Sequence, residues 1–309
     1  MERLEVIARA RSAAVIARAR SSARGDPAGL LRGLRPLAMT LVLAAPASAQ
    51  TLRDYEYSRP IRGERALRAV VEFAAGKLIV NPGPADRLYG LMLEYDAERF
   101  RPVGSYAAAD GSVRLGVESI GGGGIRVGRR SALPQTALVE LPPAVDLSLD
   151  LAIGAAEGTV ELGGLRLSEL DVKNGASRTT VSFGRPNPGK CRAASVSSGA
   201  GELTLAGIGN SGCVAWTIDG GVGAVTVDLA GAWPADGRIT VNLALGGLTL
   251  RVPKTLGVRV TMNGFLADFD GDGFVKSGKL WTSAGYDRAA RHVELQVSSA
   301  MGGVKVEWR

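Results

Sequence analysis

The chain has 309 residues, 37 Lys plus Arg against 30 Asp plus Glu, and a formal charge of +7. Its 42 Gly, 46% hydrophobic content, single His and two Cys describe a folded small-residue protein. They exclude a disordered chain, a multi-histidine metal site and a zinc–thiolate cage. There is no strict G-x-y repeat, and no apolar run approaches the roughly 18 residues that would span a bilayer.

Residues 1–49 hold eight Arg and three acids, so they carry +5 of the charge and leave +2 for the remainder. Arg32 and Arg35 precede the apolar stretch Leu37–Ala45, followed by Pro46 and Ala47-Ser48-Ala49. A basic start, a short apolar centre and an A-x-A exit predict a secretory signal peptide cut before Gln50. An Arg- and Ser-rich transit peptide is the alternative. Export places the two cysteines in an oxidising compartment. Residues 50–65, with Arg53, Asp54, Arg59, Pro60 and Arg62, read as a flexible lead-in.

From residue 66 to 309 one template recurs: aliphatic, two residues, small, one residue, small, then aliphatics. It fits Val71-x-x-Ala74-x-Gly76, Leu151-x-x-Gly154-x-Ala156, Val172-x-x-Gly175-x-Ser177 and Val196-x-x-Gly199-x-Gly201. It fits again at Ile218-x-x-Gly221-x-Gly223, Val241-x-x-Ala244-x-Gly246 and Val297-x-x-Ala300-x-Gly302. The regular anchors Leu151, Val172, Val196, Ile218 and Val241 lie 21 to 24 residues apart, a spacing that signals stacked repeats. The flanks alternate, as in Leu203-Thr204-Leu205, which predicts strands with one buried face. The paired small residues suit a tight corner. Turn clusters fall between copies at 184–189, 209–212 and 234–237. No helical period is visible beyond residue 50. The expected fold is all-β, a β-helix-like solenoid with rungs of about 21–24 residues, its N-terminal part at 66–140 and its regular rungs and C-terminal cap at 141–309. The alternative is a β-sandwich with glycine-rich hairpins.

Cys191 and Cys213 each lie five residues before an anchor, Val196 and Ile218, and so share a slot on successive rungs. Stacked strands about 4.8 Å apart are within reach of a disulfide, which this register predicts. Two free thiols are the alternative.

Two stretches resemble a known family. They are Leu149–Gly158 continued through Leu162–Ala176, and the tail segments Gly273–Gly278, Thr282–Tyr286 and Gly302–Val306. These are similar to bacterial toast-rack β-solenoid domains, related to the C-terminal domain of LiaF-like envelope-stress proteins and to the family described as putative adhesins. The resemblance spans roughly residues 66–309. It implies a single-stranded β-solenoid, extracytoplasmic placement and no assigned activity.

Few residues offer chemistry. Asp268, Asp270 and Asp272 in D-F-D-G-D-G match the front of a Ca²⁺ loop. The twelfth position, counting from Asp268, is Lys279 where a bidentate acid is required, so a solvated Asp-Gly turn is the simpler reading. Gly121–Gly124 with Arg126, Arg129 and Arg130 lacks the P-loop pattern and reads as a loop. His292 reads as structural, with no G-x-S-x-G elsewhere. Tyr55, Tyr57, Trp216, Trp233, Trp281, Tyr286 and Trp308 read as packing and rung caps rather than a sugar platform.

The functional expectation is a non-enzymatic, exported structural or interaction module of the cell envelope, adhesin-like or associated with envelope stress, with no catalytic residues and no cofactor. Its expected partners are an envelope protein or polysaccharide, with self-association through the solenoid ends. Nucleic acid is not expected, because the exported part lacks concentrated basic charge. The alternatives are a carbohydrate-active β-helix enzyme or a ligand-sensing domain of an envelope-stress pathway.

Overall fold

A computed structural model describes residues 51–120 and 135–309. The predicted leader and the Gly121–Gly124/Arg126–Arg130 loop lie outside the described residues. The strands are β1 (Leu52–Pro60), β2 (Ala66–Pro82), β3 (Arg87–Asp96), β4 (Phe100–Ala107), β5 (Ser112–Ser119), β6 (Thr136–Leu141), β7 (Asp146–Glu161), β8 (Arg166–Ser182), β9 (Ala194–Ala206), β10 (Ala215–Asp228), β11 (Gly237–Val252), β12 (Gly257–Asp270), β13 (Phe274–Ser277), β14 (Leu280–Ser283) and β15 (His292–Trp308). Two short 3₁₀ turns, Ile208–Asn210 and Tyr286–Arg288, complete the described elements.

The heart of the fold is a parallel, solenoid-like stack in the order β2, β7, β8, β9, β10, β11, β15, β12. Its register follows the repeat template. Val71 pairs with Leu151, and Val172, Val196, Ile218, Val241 and Val297 continue the same row. The three turn clusters lie in the connections after β8, β9 and β10.

Within each rung the buried positions alternate with period two and then change parity at the corner. In β10, Trp216 and Ile218 are buried before the bend and Val225 and Val227 after it; in β11, Ile239 and Val241 give way to Leu248 and Leu250. An unbroken strand would turn its second limb outward, because side chains alternate between faces. The corner cancels that inversion and keeps both limbs on one aliphatic core. Gly201, Gly223, Gly246 and Gly302 carry this bend with φ between 133° and 146°. A Cβ on any of them would run into the backbone carbonyl of its register neighbour: Ser177, Gly201, Gly223 and Gly246 respectively. Glycine is thus required twice over, for the backbone angle and for the close approach of the rungs.

The fold departs from the sequence reading in three ways. Residues 52–60 are not a flexible lead-in: they form β1, paired antiparallel with β3 from Leu52↔Asp96 to Pro60↔Arg87. The C-terminal repeat does not end the stack, because β15 lies between β11 and β12. The sheet is also mixed. Antiparallel pairs β4–β5, β3–β6 and β1–β3 flank β2, and β12–β14 with β13–β14 flank the other end. Asp268 and Asp270 lie on the part of β12 beyond its β14 pairing. Charge on a sheet edge discourages edge-to-edge pairing.

The connections are bonded from rung to rung as well. Asn187 Oδ1 accepts from Gly164 N at 2.6 Å while its Nδ2 donates to Ser211 O at 3.1 Å. Asn210 Nδ2 donates to Phe183 O at 3.0 Å, and its Oδ1 accepts from Ala232 N at 2.9 Å. These amides satisfy backbone groups that no strand partner reaches. In the same layer Cys191 and Cys213 form a disulfide with Cα atoms 4.4 Å apart, in parallel bridge register.

Candidate functional site: a polar groove along the corner

The residue after each anchor faces outward on the first limb. Across β9, β10, β11, β15 and β12 the register puts Ser197, Asp219, Asn242, Ser298 and Asn263 in one row. Two positions on are Gly199, Gly221, Ala244 and Ala300, too small to fill the space beside that row. The result is an open groove of about 700 Å³ running along the stacking direction. Asn242 Nδ2 donates to Asp219 Oδ1 at 2.8 Å, which orients both side chains. Lys279 Nζ reaches Asn263 Oδ1 at 3.5 Å and closes the β12 end of the row.

The lining consists of Ser hydroxyls, Asn amides, one carboxylate (Asp219), glycines and alanines, and Leu243. It can exchange hydrogen bonds with a ligand along its length. It does not hold the two carboxylates that glycoside hydrolysis commonly uses, so this groove does not supply the site a polysaccharide-cleaving enzyme would need. Beside it, Val222, Leu245 and Met301 stand in register on β10, β11 and β15 and are exposed by 55%, 42% and 48%, forming an apolar ridge.

The residues singled out from sequence do not converge on this groove. Asp268 and Asp270 lie in extended β12, both exposed and separated by Phe269. Residues two apart in a strand share a face but sit roughly 7 Å apart, so the carboxylates do not wrap an ion as a Ca²⁺ loop would. Asp272 lies beyond the strand end, and its carbonyl accepts from Trp308 Nε1 at 2.7 Å. Among the described residues no cluster of three or more His, Cys, Asp or Glu is placed to hold a metal ion.

His292 is held by packing. Its ring lies 4.5 Å from the Tyr286 ring, Nε2 is 3.0 Å from Tyr286 O, and Nδ1 is 3.5 Å from Asp236 Oδ2. Its backbone N–H donates to Asp236 Oδ1 at 2.9 Å, the chief reason the Asp236 carboxyl is held below its ordinary pKa.

The aromatics divide into separate groups. Trp216 and Trp233 are core residues whose indole N–H groups donate to Cys213 O and Leu229 O. Trp281 stacks on Phe269 at 4.3 Å, and Trp308 packs on Phe274 at 5.4 Å, closing the β12–β14 end. Tyr57 contacts Tyr89 at 5.3 Å, and Tyr89 contacts Tyr106 at 5.8 Å, joining β1, β3 and β4. Burial, aided by Tyr57, pushes the Tyr89 phenol well above its ordinary pKa. Gly104 on β4 admits this packing, since a Cβ there would meet Tyr57 Cδ1 at 2.9 Å.

The polar row was missed in the sequence although its signal was available. Aligning the repeats on their anchors shows a polar residue immediately after Val196, Ile218, Val241 and Val297. Asn263 could not be added that way, because β12 was not among the template matches.

Fold and groove together define an all-β protein with a solenoid-like parallel stack, mixed-sheet ends and a polar groove along its corner. No helix among the described residues is long and apolar enough to cross a membrane. The chain belongs to the toast-rack family: the family profile described as the N-terminal domain of toast_rack, DUF2154, matches residues 48–206. Among solved structures it is similar to a "putative cell adhesion protein" from Clostridium sporogenes ATCC 15579, with 13% identity over 83% of this chain and 100% of the other, at a TM-score of 0.45. A "putative adhesin" from Bacteroides fragilis NCTC 9343 shares 12% over 84% and 98%, at 0.37. A "putative lipid binding protein" from Parabacteroides distasonis ATCC 8503 shares 10% over 82% and 97%, at 0.28. No curated protein matches the sequence.

Proposed function

We propose that this chain is an exported, non-enzymatic interaction module of the bacterial cell envelope. In this reading residues 1–49 are a cleaved signal peptide and 66–309 form the solenoid domain. Each of β7 to β11, with its connection, is one turn of a single-stranded solenoid of 21–24 residues. The observation that carries the reading is the row Ser197, Asp219, Asn242, Ser298 and Asn263, a repeated polar surface held on a rigid aliphatic stack. A surface that repeats along a solenoid binds an extended partner by many equivalent contacts, each weak and jointly strong. The partner is an envelope protein or a polysaccharide.

The test is to express the full chain in a bacterium, fractionate the cells and determine the mature N-terminus by mass spectrometry. The expected product begins at Gln50, is extracytoplasmic and co-sediments with isolated envelopes. A chain that keeps Met1 and stays in the cytosol would overturn the reading.

A further inference from the structure

We propose that this chain pairs with a second copy of itself through the corner, the apolar ridge of each copy lying along the groove of the other. This rests on the reading of the chain as an envelope interaction module and makes its protein partner another molecule of the same chain. The first argument is the composition of the corner. The residue between the two small positions of the repeat is apolar in all seven copies, alanine in the first four and then Val222, Leu245 and Met301. The last three stand in register on β10, β11 and β15, and all are exposed. Gly223, Gly246 and Gly302 follow them directly, so the ridge has no side chain beside it on that flank. A contiguous apolar strip left in water marks a site of association.

The second argument is self-complementarity. Gly221, Ala244 and Ala300 line the groove and immediately precede Val222, Leu245 and Met301, so groove and ridge lie side by side and run in the same direction. The surface the groove exposes is mostly apolar. A twofold axis through the corner near Leu245 sets each ridge on the other groove at once, with Val222 of one copy opposite Met301 of the other. A second stack also brings the same rung repeat of about 4.8 Å, which keeps the contacts in step along the overlap. The rungs from β9 to β15 are hydrogen-bonded to neighbours on both sides. The partner therefore docks on side chains and does not add a strand.

The third argument is charge. Neither the ridge nor the groove lining contains Lys or Arg, and the one carboxylate of the lining, Asp219, stands on β10. Lys279 lies at the opposite end of the row, against Asn263 of β12. Lys173, which pairs with Ser197 in register on β8, is held by Asp171 Oδ2 at 2.9 Å. Copies related by the twofold run antiparallel, which turns the Asp219 end of each toward the Lys279 end of the other. A bilayer would meet the ridge without the basic cluster that strengthens membrane binding, and would leave the groove unfilled. Five rungs by six residues make a face roughly 20 Å square, so a pair buries roughly 800 Å² in all, at the small end for specific association. The pairing is thus weak and is favoured where copies are crowded.

The experiment is sedimentation equilibrium of the full chain from micromolar to millimolar concentration, joined to cysteine crosslinking with oxidised glutathione. The expected result is a monomer–dimer equilibrium. Leu245→Cys should form an interchain disulfide, whereas Val275→Cys, exposed on β13 outside the patch, should not. Val222→Cys and Met301→Cys should crosslink poorly alone and well when mixed. Leu245→Asp should weaken the dimer at least tenfold, and Val222→Asp, at the most exposed position of the ridge, should do the same with the parent's thermal midpoint retained. A monomer at every concentration, Val222→Cys alone linking as fast as the mixture, or a dimer of parental strength in both Asp variants would each overturn the proposal. A chain that stays monomeric and binds phosphatidylcholine–phosphatidylglycerol vesicles through the ridge would overturn it in favour of a membrane. If envelope co-sedimentation survives such a result, only the pairing fails. If the dimer forms but co-sedimentation is absent, the pairing stands and the broader reading fails on its own evidence.

Discussion

Adding one methyl group at Gly246 should do far more damage than adding it at Gly247, the next residue in the same strand. Gly246 has φ +146°, a region that L residues rarely adopt and that costs of the order of 1–3 kcal/mol to occupy. The new Cβ would lie 2.9 Å from the carbonyl carbon of Gly223 and nearer still to its oxygen. That carbonyl is backbone in a rung paired on both sides, so relief requires parting β10 from β11 and weakening their hydrogen bonds, at about 1 kcal/mol each. The sum for Gly246→Ala is about 3–5 kcal/mol, a large share of a typical stability of about 5–15 kcal/mol. At Gly247 a Cβ would meet only Gly303 O, at an ordinary 3.8 Å, with no positive φ to strain. There the reduced freedom of the unfolded chain should leave stability unchanged or raise it by up to about 1 kcal/mol. Urea unfolding of the oxidised full chain, followed by the emission of the buried Trp216, reads both variants. Equal midpoints, or a Gly246→Ala loss within about 0.5 kcal/mol of the parent, would refute the corner argument, since that range is ordinary for a surface substitution.

Two further outcomes follow from the same structure. Reducing Cys191–Cys213, or replacing both by Ser, frees a loop of sequence separation 22 and should cost about 3 kcal/mol of stability in the chain-entropy model. Urea midpoints with and without reductant measure it, and no difference would show that the bridge constrains nothing the stack does not already constrain. The second outcome concerns acid. Glu202 is held below its ordinary pKa of 4.5 by the Arg178 guanidinium, and Glu307 by Arg251 and Lys305. Their contribution is present above pH 4.5 and is lost as pH falls through the lowered folded values. Because these groups are exposed, the effect is small and screened by salt. The thermal midpoint should therefore be nearly flat from pH 8 to 5 and decline below about 4.5. Glu202→Gln should shrink the decline, and an unchanged pH profile in that variant would remove Glu202 from the account.

The two structural families of residue, anchors and corners, were legible for a local reason. A rung must bury alternate side chains on two limbs and turn between them, and that demand falls on a window of about ten residues. Val196, Gly199, Gly201, Leu203 and Leu205 meet it without reference to any other rung. The shared slot of Cys191 and Cys213 followed once the repeat length was known. The candidate site was half legible: four of its five row residues follow an anchor directly, but they look like ordinary solvent-facing positions until stacking lines them up.

Sequence alone therefore determined the rung: its strands, its glycine corner, its length and the pairing of its cysteines. Tertiary structure decided the order of the rungs and what their faces make together. Near-equivalent strands compete for the same partner edge, and long-range hydrogen bonding settles the competition. The stack places β15, with Gly302 in the corner against Gly246, between β11 and β12. The groove exists only because β15 then brings Ser298, Ser299 and Ala300 between β11 and β12, a juxtaposition that no local pattern encodes.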